Sequence, residues 1–370
     1  MKNLILKYKY LLLTLIVFAV GFIYWSLPVS NVVYAQTYGV IADDGIDDTA
    51  AINAAIVELK ARGGGKLVFP PGQVIVSDRL YFIGGNVSYE IEGDGTEILV
   101  NGNNGSVIFY FGNNNQVQIH GLSFVGRNVY DPSDPHYIDC AYLIFANYVD
   151  KLTIRNTQFI GVRAAFSIVY TGLADTVLED VHFGGSSGGS AAVEAGITAW
   201  SNDQWFRGLT VRNTTFLDYG NYRDHDYWKS SSDNTYWIKA SSSVEMRDSV
   251  NAMHERLLRI EDSRFDEAAT VAIAAWNVEF LKVEGINVNV NSTGNARALD
   301  LSGVHYAEVN FSRFGYTNAN KPAIKAVDGT NVSVKGITLG GGVILSQKDD
   351  SSAVNATACF GQNCPLAPRR

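Results

Sequence analysis

The chain has 370 residues, with 29 Lys and Arg against 37 Asp and Glu, for a formal net charge of −8. No run of Lys or Arg interrupts that acidic balance, which speaks against nucleic acid as a partner. Its 3 cysteines and 6 histidines show no zinc spacing, so no metal ligand set is read from the sequence.

The N-terminus carries Lys2, Lys7 and Lys9, then an apolar run from Leu11 to Leu27 closed by Pro28. A positive flank before an apolar core predicts a signal sequence or signal anchor. Val33, Tyr34 and Ala35 suit a signal peptidase, so a cut is expected after Ala35. Either outcome places the rest in a secreted or extracytoplasmic location, membrane-bound only through this segment if it is retained. The expected organisation is a targeting segment over 1–35, one elongated domain over 36–348, and a C-terminal tail over 349–370. Between Thr49 and Lys60, Ala51, Ile52, Ala55, Ile56 and Leu59 share one helical face, behind a capping cluster of Asp47, Asp48 and Thr49. Gly63–Gly65 ends that helix, and strand, turn, strand follow to Val76.

Beyond it, a six-residue phrase recurs eight times: aliphatic, any, turn residue, any, any, Phe or another apolar residue. The copies begin at Ile119, Ile154, Leu178, Val211, Ile260, Val283, Val309 and Val334. Compact copies are 23–26 residues apart. A unit that short cannot bury its own apolar side and must stack on its neighbours. Apolar residues alternate on both sides of the turn position, which predicts two short strands joined at a bend. Gly121, Asn156, Asp180, Asn213, Asp262, Gly285 and Gly336 occupy that bend, with Phe311 as the exception. Gly and Asn tolerate the positive φ of a tight corner. The predicted fold is all-β: a single-stranded right-handed parallel β-helix, a solenoid whose first coil is covered by the N-terminal amphipathic helix.

The stretches YGVIADDGIDDTAAINAAI and GGGKLVFPPG, from Tyr38 to Ile56 and Gly63 to Gly72, resemble the N-terminus of the pectate lyase superfamily. Its β-helix members include rhamnogalacturonases, polygalacturonases, uronan epimerases and phage tailspikes. With the repeats, the resemblance covers Tyr38 to about Leu345. It implies a polysaccharide as substrate or ligand, without choosing a reaction, because one scaffold hosts many chemistries.

Three coils carry extra sequence. In each, the span from the repeat Phe to the next apolar strand pair lengthens: Phe124 to Leu143, Phe183 to Ile197 and Phe216 to Val250. Stacked coils would set these insertions side by side at one corner, so a groove walled by 125–142, 184–196 and 217–249 is expected. These segments are rich in groups that suit sugars. Arg127, Tyr137, Trp200, Tyr222, Arg223, Tyr227, Trp228 and Trp237 are the candidate substrate-binding residues.

Tyr130, Asp134, His136, Asp224, His225, Asp226 and Lys239 are the candidate catalytic residues. Glycoside hydrolysis would need two carboxylates flanking one bond. The polygalacturonase signatures Asn-Thr-Asp, Gly-His-Gly and Arg-Ile-Lys are absent from the sequence. Lyase or epimerase chemistry would need a cation or Ca2+ on the carboxylate, a base and an acid, and Ca2+ stays open as a cofactor. Asp134–Pro135–His136, four residues after Tyr130, resembles the Tyr-Gly-Phe-Asp-Pro-His motif of alginate C5-epimerases, with the tyrosine one residue further away. Cys359 and Cys364 can close a small disulfide loop in the tail. Two expectations remain: an exported enzyme acting on a polysaccharide as hydrolase, lyase or epimerase, or a non-catalytic glycan-binding or surface structural β-helix.

Overall fold

The computed structural model describes residues 31–101, 107–126, 140–162, 164–172, 175–184, 191–196, 206–217, 236–241, 256–266, 271–290, 297–316, 322–340 and 344–360. Every strand pair assigned among them is parallel, and the strands wind as a right-handed β-helix, the hand that crossovers between parallel strands almost always take.

Each coil contributes three short strands, which stack into three ladders. The repeat sets the register of the first two. Ile119 pairs in line with Ile154, Leu178, Val211, Ile260, Val283, Val309 and Val334. Five residues on, Phe124 lines up with Phe159, Phe183, Phe216, Phe265, Val288, Phe314 and Leu339. All of these are buried. The phenylalanines form a continuous ring stack in the core. Centroids are 5.2 Å apart from Phe124 to Phe159, then 4.7, 4.8 and 4.7 Å through Phe183 and Phe216 to Phe265. Interplanar angles there are 10°, 7°, 3° and 5°. Rings on successive coils can lie parallel because the strand spacing, about 4.8 Å, matches a stacking distance.

The bend between these ladders takes a positive φ in every copy. Asn156, Asp180, Asn213 and Asp262 have φ of 46°, 56°, 46° and 47°, and Phe311 follows at 48°. An asparagine accepts that conformation, whereas a bulky side chain is strained in it. Phe311 is also 60% exposed, so little packing offsets the strain. The substitution Phe311→Asn is therefore expected to raise unfolding stability by about 1 kcal/mol, measured by urea titration.

Helix α1 runs Thr49–Ala61 and buries Ile52, Ala55, Ile56 and Leu59 against the strands Gly64–Val68 and Leu80–Val100. The expected capping cluster divides its work between its two acids. Asp47, not Asp48, holds the first turn: its Oδ1 accepts from Thr49 N at 3.1 Å and Thr49 Oγ1 at 2.6 Å. Asp48 faces the coil instead and accepts from the amides of Ile41 and Ile75.

Strand β1, Val32–Tyr34, pairs with Gly64–Val68, and Val33 and Ala35 are buried in the core. A cut after Ala35 would remove that rung. A chain beginning at Gln36 is thus expected to unfold at lower temperature than one beginning at Asn31, by the loss of about 2–4 kcal/mol of apolar burial. Equal melting temperatures would show that the rung contributes nothing. At the other end, Ala353–Phe360 pairs with Asn331–Leu339, so the ladder continues past Lys348 into the segment expected as a tail. Cys359 lies on that strand; Cys364 is outside the described residues. No helix among the described residues is long and apolar enough to cross a membrane.

Candidate functional site

The third ladder differs from the other two, and its outer face is the candidate site. Its strands include Leu80–Ile83, Val107–Gly112, Cys140–Asn147, Ala164–Thr171, Ala191–Gly196, Tyr236–Ser241, Val271–Trp276, Arg297–Ser302, Pro322–Val327 and Ile344–Lys348. In most of these strands the second residue is skipped by the pairing. Tyr236 pairs with Val271 and Ile238 with Ile273, leaving Trp237 and Ala272 without register partners. Both skipped residues and their successors are buried, so two consecutive side chains point inward.

That irregularity relocates two expected boundaries. The third strands of the long coils are Ala191–Gly196 and Tyr236–Ser241, not segments near Ile197 and Val250. Extra sequence therefore enters at two corners. Residues 127–139, 185–190 and 218–235 lead from the second ladder to the third, and 197–205 and 242–255 lead from the third to the first. A single insertion corner walled by 184–196 and 217–249 is not what the chain builds, because 191–196 and 236–241 are rungs.

Trp237 illustrates the consequence. It was expected to bind substrate, but it is 1% exposed and packs on Phe216 with centroids 5.4 Å apart. The equivalent positions on the neighbouring coils are Ala192 and Ala272, which are small enough to leave room for an indole. Lys239, two residues on, does lie on the outer face. Its Nζ donates to Glu194 Oε1 at 2.6 Å and sits 5.6 Å from the Trp276 ring centroid. Trp276 in turn meets Tyr236 edge-on at 5.8 Å.

Glu194 is 2% exposed although it points outward. Burial pushes its carboxyl above the ordinary value, against the opposing pull of Lys239. Further along the same row, Asp300 is ion-paired with Arg297 at 3.2 Å and Lys325 at 3.8 Å. Glu194 and Asp300 are three rungs apart. At about 4.8 Å per rung their backbones are about 14 Å apart, beyond the 5–10 Å separations of glycosidase carboxylate pairs. Both acids are also neutralised by cations. These two do not form a hydrolytic pair.

Toward the capped end the same row becomes aromatic. Tyr81, Tyr110 and Phe145 are in register on successive coils. Tyr81 and Tyr110 have centroids 6.4 Å apart, and Tyr110 stacks on Phe145 at 5.6 Å. Tyr142 adds a ring 5.6 Å from Phe145. Tyr81 is 49% exposed. One outer face thus carries the exposed Tyr81 and the part-buried Tyr110, Tyr142 and Phe145 at one end, and further along it paired charges with the part-buried Trp276. None of Tyr81, Tyr110, Phe145, Glu194, Trp276 or Asp300 stood out from the sequence. Aligning the third strands would have shown it, since Tyr81, Tyr110 and Phe145 each precede Phe or Ala by one position in LYFI, FYFG and IFAN.

The remaining sequence candidates, Arg127, Tyr130, Asp134, His136, Tyr137, Trp200, Tyr222, Arg223, Asp224, His225, Asp226, Tyr227 and Trp228, lie outside the described residues. Elsewhere, ligand atoms of Glu90, Glu92 and His120 lie within 4.8 Å of one another on the first ladder. Lys66 Nζ is 3.3 Å from Glu90 Oε1 and also ion-pairs Glu92, so an ammonium already serves this cluster. It belongs to an outward ion-pair ladder that continues through Arg155, Glu179 and Arg212.

No family model matches the chain, and no curated protein matches it in sequence. Solved structures do. The surface protein and adhesin PfbA of Streptococcus pneumoniae superposes with a TM-score of 0.54 at 12% identity, over 88% of this chain and 99% of that one. A mutant tailspike protein of E. coli bacteriophage HK620, in complex with a pentasaccharide, gives 0.56 at 9% identity, over 89% of this chain and 66% of the tailspike. At such identities the likeness shows the fold alone, a parallel β-helix.

Proposed function

We propose that this β-helix binds a polysaccharide along the outer face of its third ladder. The observation that carries the reading is the row of stacked rings at Tyr81, Tyr110 and Phe145 on successive coils, exposed at Tyr81 and part-exposed at the other two. Ring faces stack on the apolar faces of sugars. A row parallel to the solenoid axis suits a long ligand. The tailspike solved with a pentasaccharide and the adhesin support a carbohydrate-related, extracellular setting. Export through the N-terminal segment belongs to the same proposal.

A second reading adds turnover. The sequence segments holding Tyr130, Asp134 and His136, and Asp224, His225 and Asp226, immediately precede the third-ladder strands that begin at Cys140 and Tyr236. The experiment that separates the readings uses a panel of uronans and neutral polysaccharides, with and without Ca2+. Retention in affinity gels is scored beside reducing ends and the absorbance of unsaturated uronates. Retention without new ends supports a binding module. New ends alone indicate a hydrolase, and new ends with new absorbance a lyase. Absence of retention and of product on every polysaccharide would overturn the proposal.

A further inference from the structure

We infer that Arg79, Tyr81 and Tyr110 form a subsite for an acidic sugar at the capped end of the third ladder. This rests on the polysaccharide-binding reading and narrows it to a charged ligand. Arg79 Cζ lies 5.4 Å from the Tyr81 ring centroid and 5.6 Å from that of Tyr110, so one guanidinium spans both rings. Neither ring nor cation is used by the core. Tyr81 is 49% exposed, and Arg79 forms no ion pair with any carboxylate among the described residues. Elsewhere on this face the cations are already taken: Lys239 by Glu194, and Arg297 and Lys325 by Asp300. Among the described residues of this face, Arg79 is a cation left to meet an anion from outside. A guanidinium beside an aromatic shelf matches a uronate or another acidic pyranose, whose ring stacks while its carboxylate takes the charge-assisted hydrogen bonds.

The segment is also held rigid before any ligand arrives. Asn53 of α1 donates from Nδ2 to Arg79 O at 3.0 Å and accepts from Tyr81 N at 3.3 Å. Just upstream, Ser77 N donates to Thr49 Oγ1 at 2.9 Å, and Ser77 Oγ donates to Asp47. Asp78 Oδ1 accepts from Arg79 N at 2.7 Å. The capping helix thereby fixes the backbone on which the cation and the first ring stand. Preorganisation of that kind lowers the ordering cost of binding. It gives α1 a second role beside closing the solenoid end.

The test compares binding of the whole chain to a soluble polyuronate (alginate or polygalacturonate) and to an uncharged glucan of similar length. The variants are Arg79→Gln and Tyr81→Ala, each checked for an unchanged far-UV spectrum and melting temperature. Arg79→Gln is expected to weaken polyuronate binding about tenfold and to flatten its salt dependence, with a much smaller loss of glucan binding. Tyr81→Ala is expected to weaken both. Polyuronate binding unmoved by Arg79→Gln, or a chain that binds only the glucan, overturns the acidic subsite while the broader reading stands. A chain that binds neither polymer removes the broader reading and the subsite with it.

Discussion

Replacing Phe216 by alanine is expected to lower unfolding stability by about 3–5 kcal/mol, the largest single effect anticipated in this chain. Phe216 sits within the ring stack, between Phe183 at 4.8 Å and Phe265 at 4.7 Å, and also carries Trp237 at 5.4 Å. All four side chains are buried. Alanine would remove a complete ring between two fixed rungs. The coils cannot close that gap, because the strand pairing above and below holds their spacing. The loss therefore combines transfer free energy with a cavity. Because repeat proteins gain stability from neighbour contacts, the deficit should centre on the adjacent coils. Urea unfolding of Phe216→Ala beside Phe216→Leu measures it. Leucine fills most of the space and should cost less than half as much. Equal, small effects for both would mean that the stack does not organise the core.

The second large effect concerns Lys239, a residue the sequence suggested as catalytic. Lys239→Met is expected to destabilise the fold by about 3 kcal/mol, because it strands the buried Glu194 carboxylate without its partner. Glu194→Gln combined with Lys239→Met should recover much of that loss, since neither remaining group is charged. The pH dependence follows from the raised Glu194 value. An acid whose folded pKa lies above its unfolded one favours folding most when it is protonated. Its contribution falls as pH rises from about 4.5, the unfolded value, up to the folded value, and is then constant. Loss of Lys239 pushes the folded value higher and widens that window. In thermal melts at stepped pH, Lys239→Met should lose stability over a broader range than the parent chain, and Glu194→Gln should be flat there. An unchanged melting profile for Lys239→Met would show that the pair is solvated and free for other work.

Most of the fold was legible because its cause is local. The bend residues Asn156, Asp180 and Asn213 and the repeat Phe residues mark the first two ladders, where each strand alternates strictly inside and out. The third ladder was not legible in the same way. Its strands place two consecutive residues inward, such as Trp237 and Ile238 or Ala272 and Ile273. That breaks the two-residue period on which strand recognition depends. Its sequences AAVEAG and YWIKAS also mix small and charged residues. The strands of two long coils were thus read as loop, and Trp237 as a ligand contact. Phe311 shows the reverse case. It breaks the residue preference of the bend, yet the stacking of its neighbours imposes the same positive φ. The candidate face escaped notice because it is assembled across coils. Tyr81 and Tyr110 are 29 residues apart in sequence and adjacent only through the register.

Hydroxyl-radical footprinting of the chain with and without a bound acidic oligosaccharide tests the central claim most directly, because it reads side-chain cover residue by residue. Tyr81 and Tyr110 should lose reactivity in the complex. Tyr34, Tyr306 and Phe311, exposed on other surfaces, should keep theirs. Protection of Tyr306 or Phe311 with Tyr81 and Tyr110 unchanged would contradict the assignment of the third ladder as the binding face.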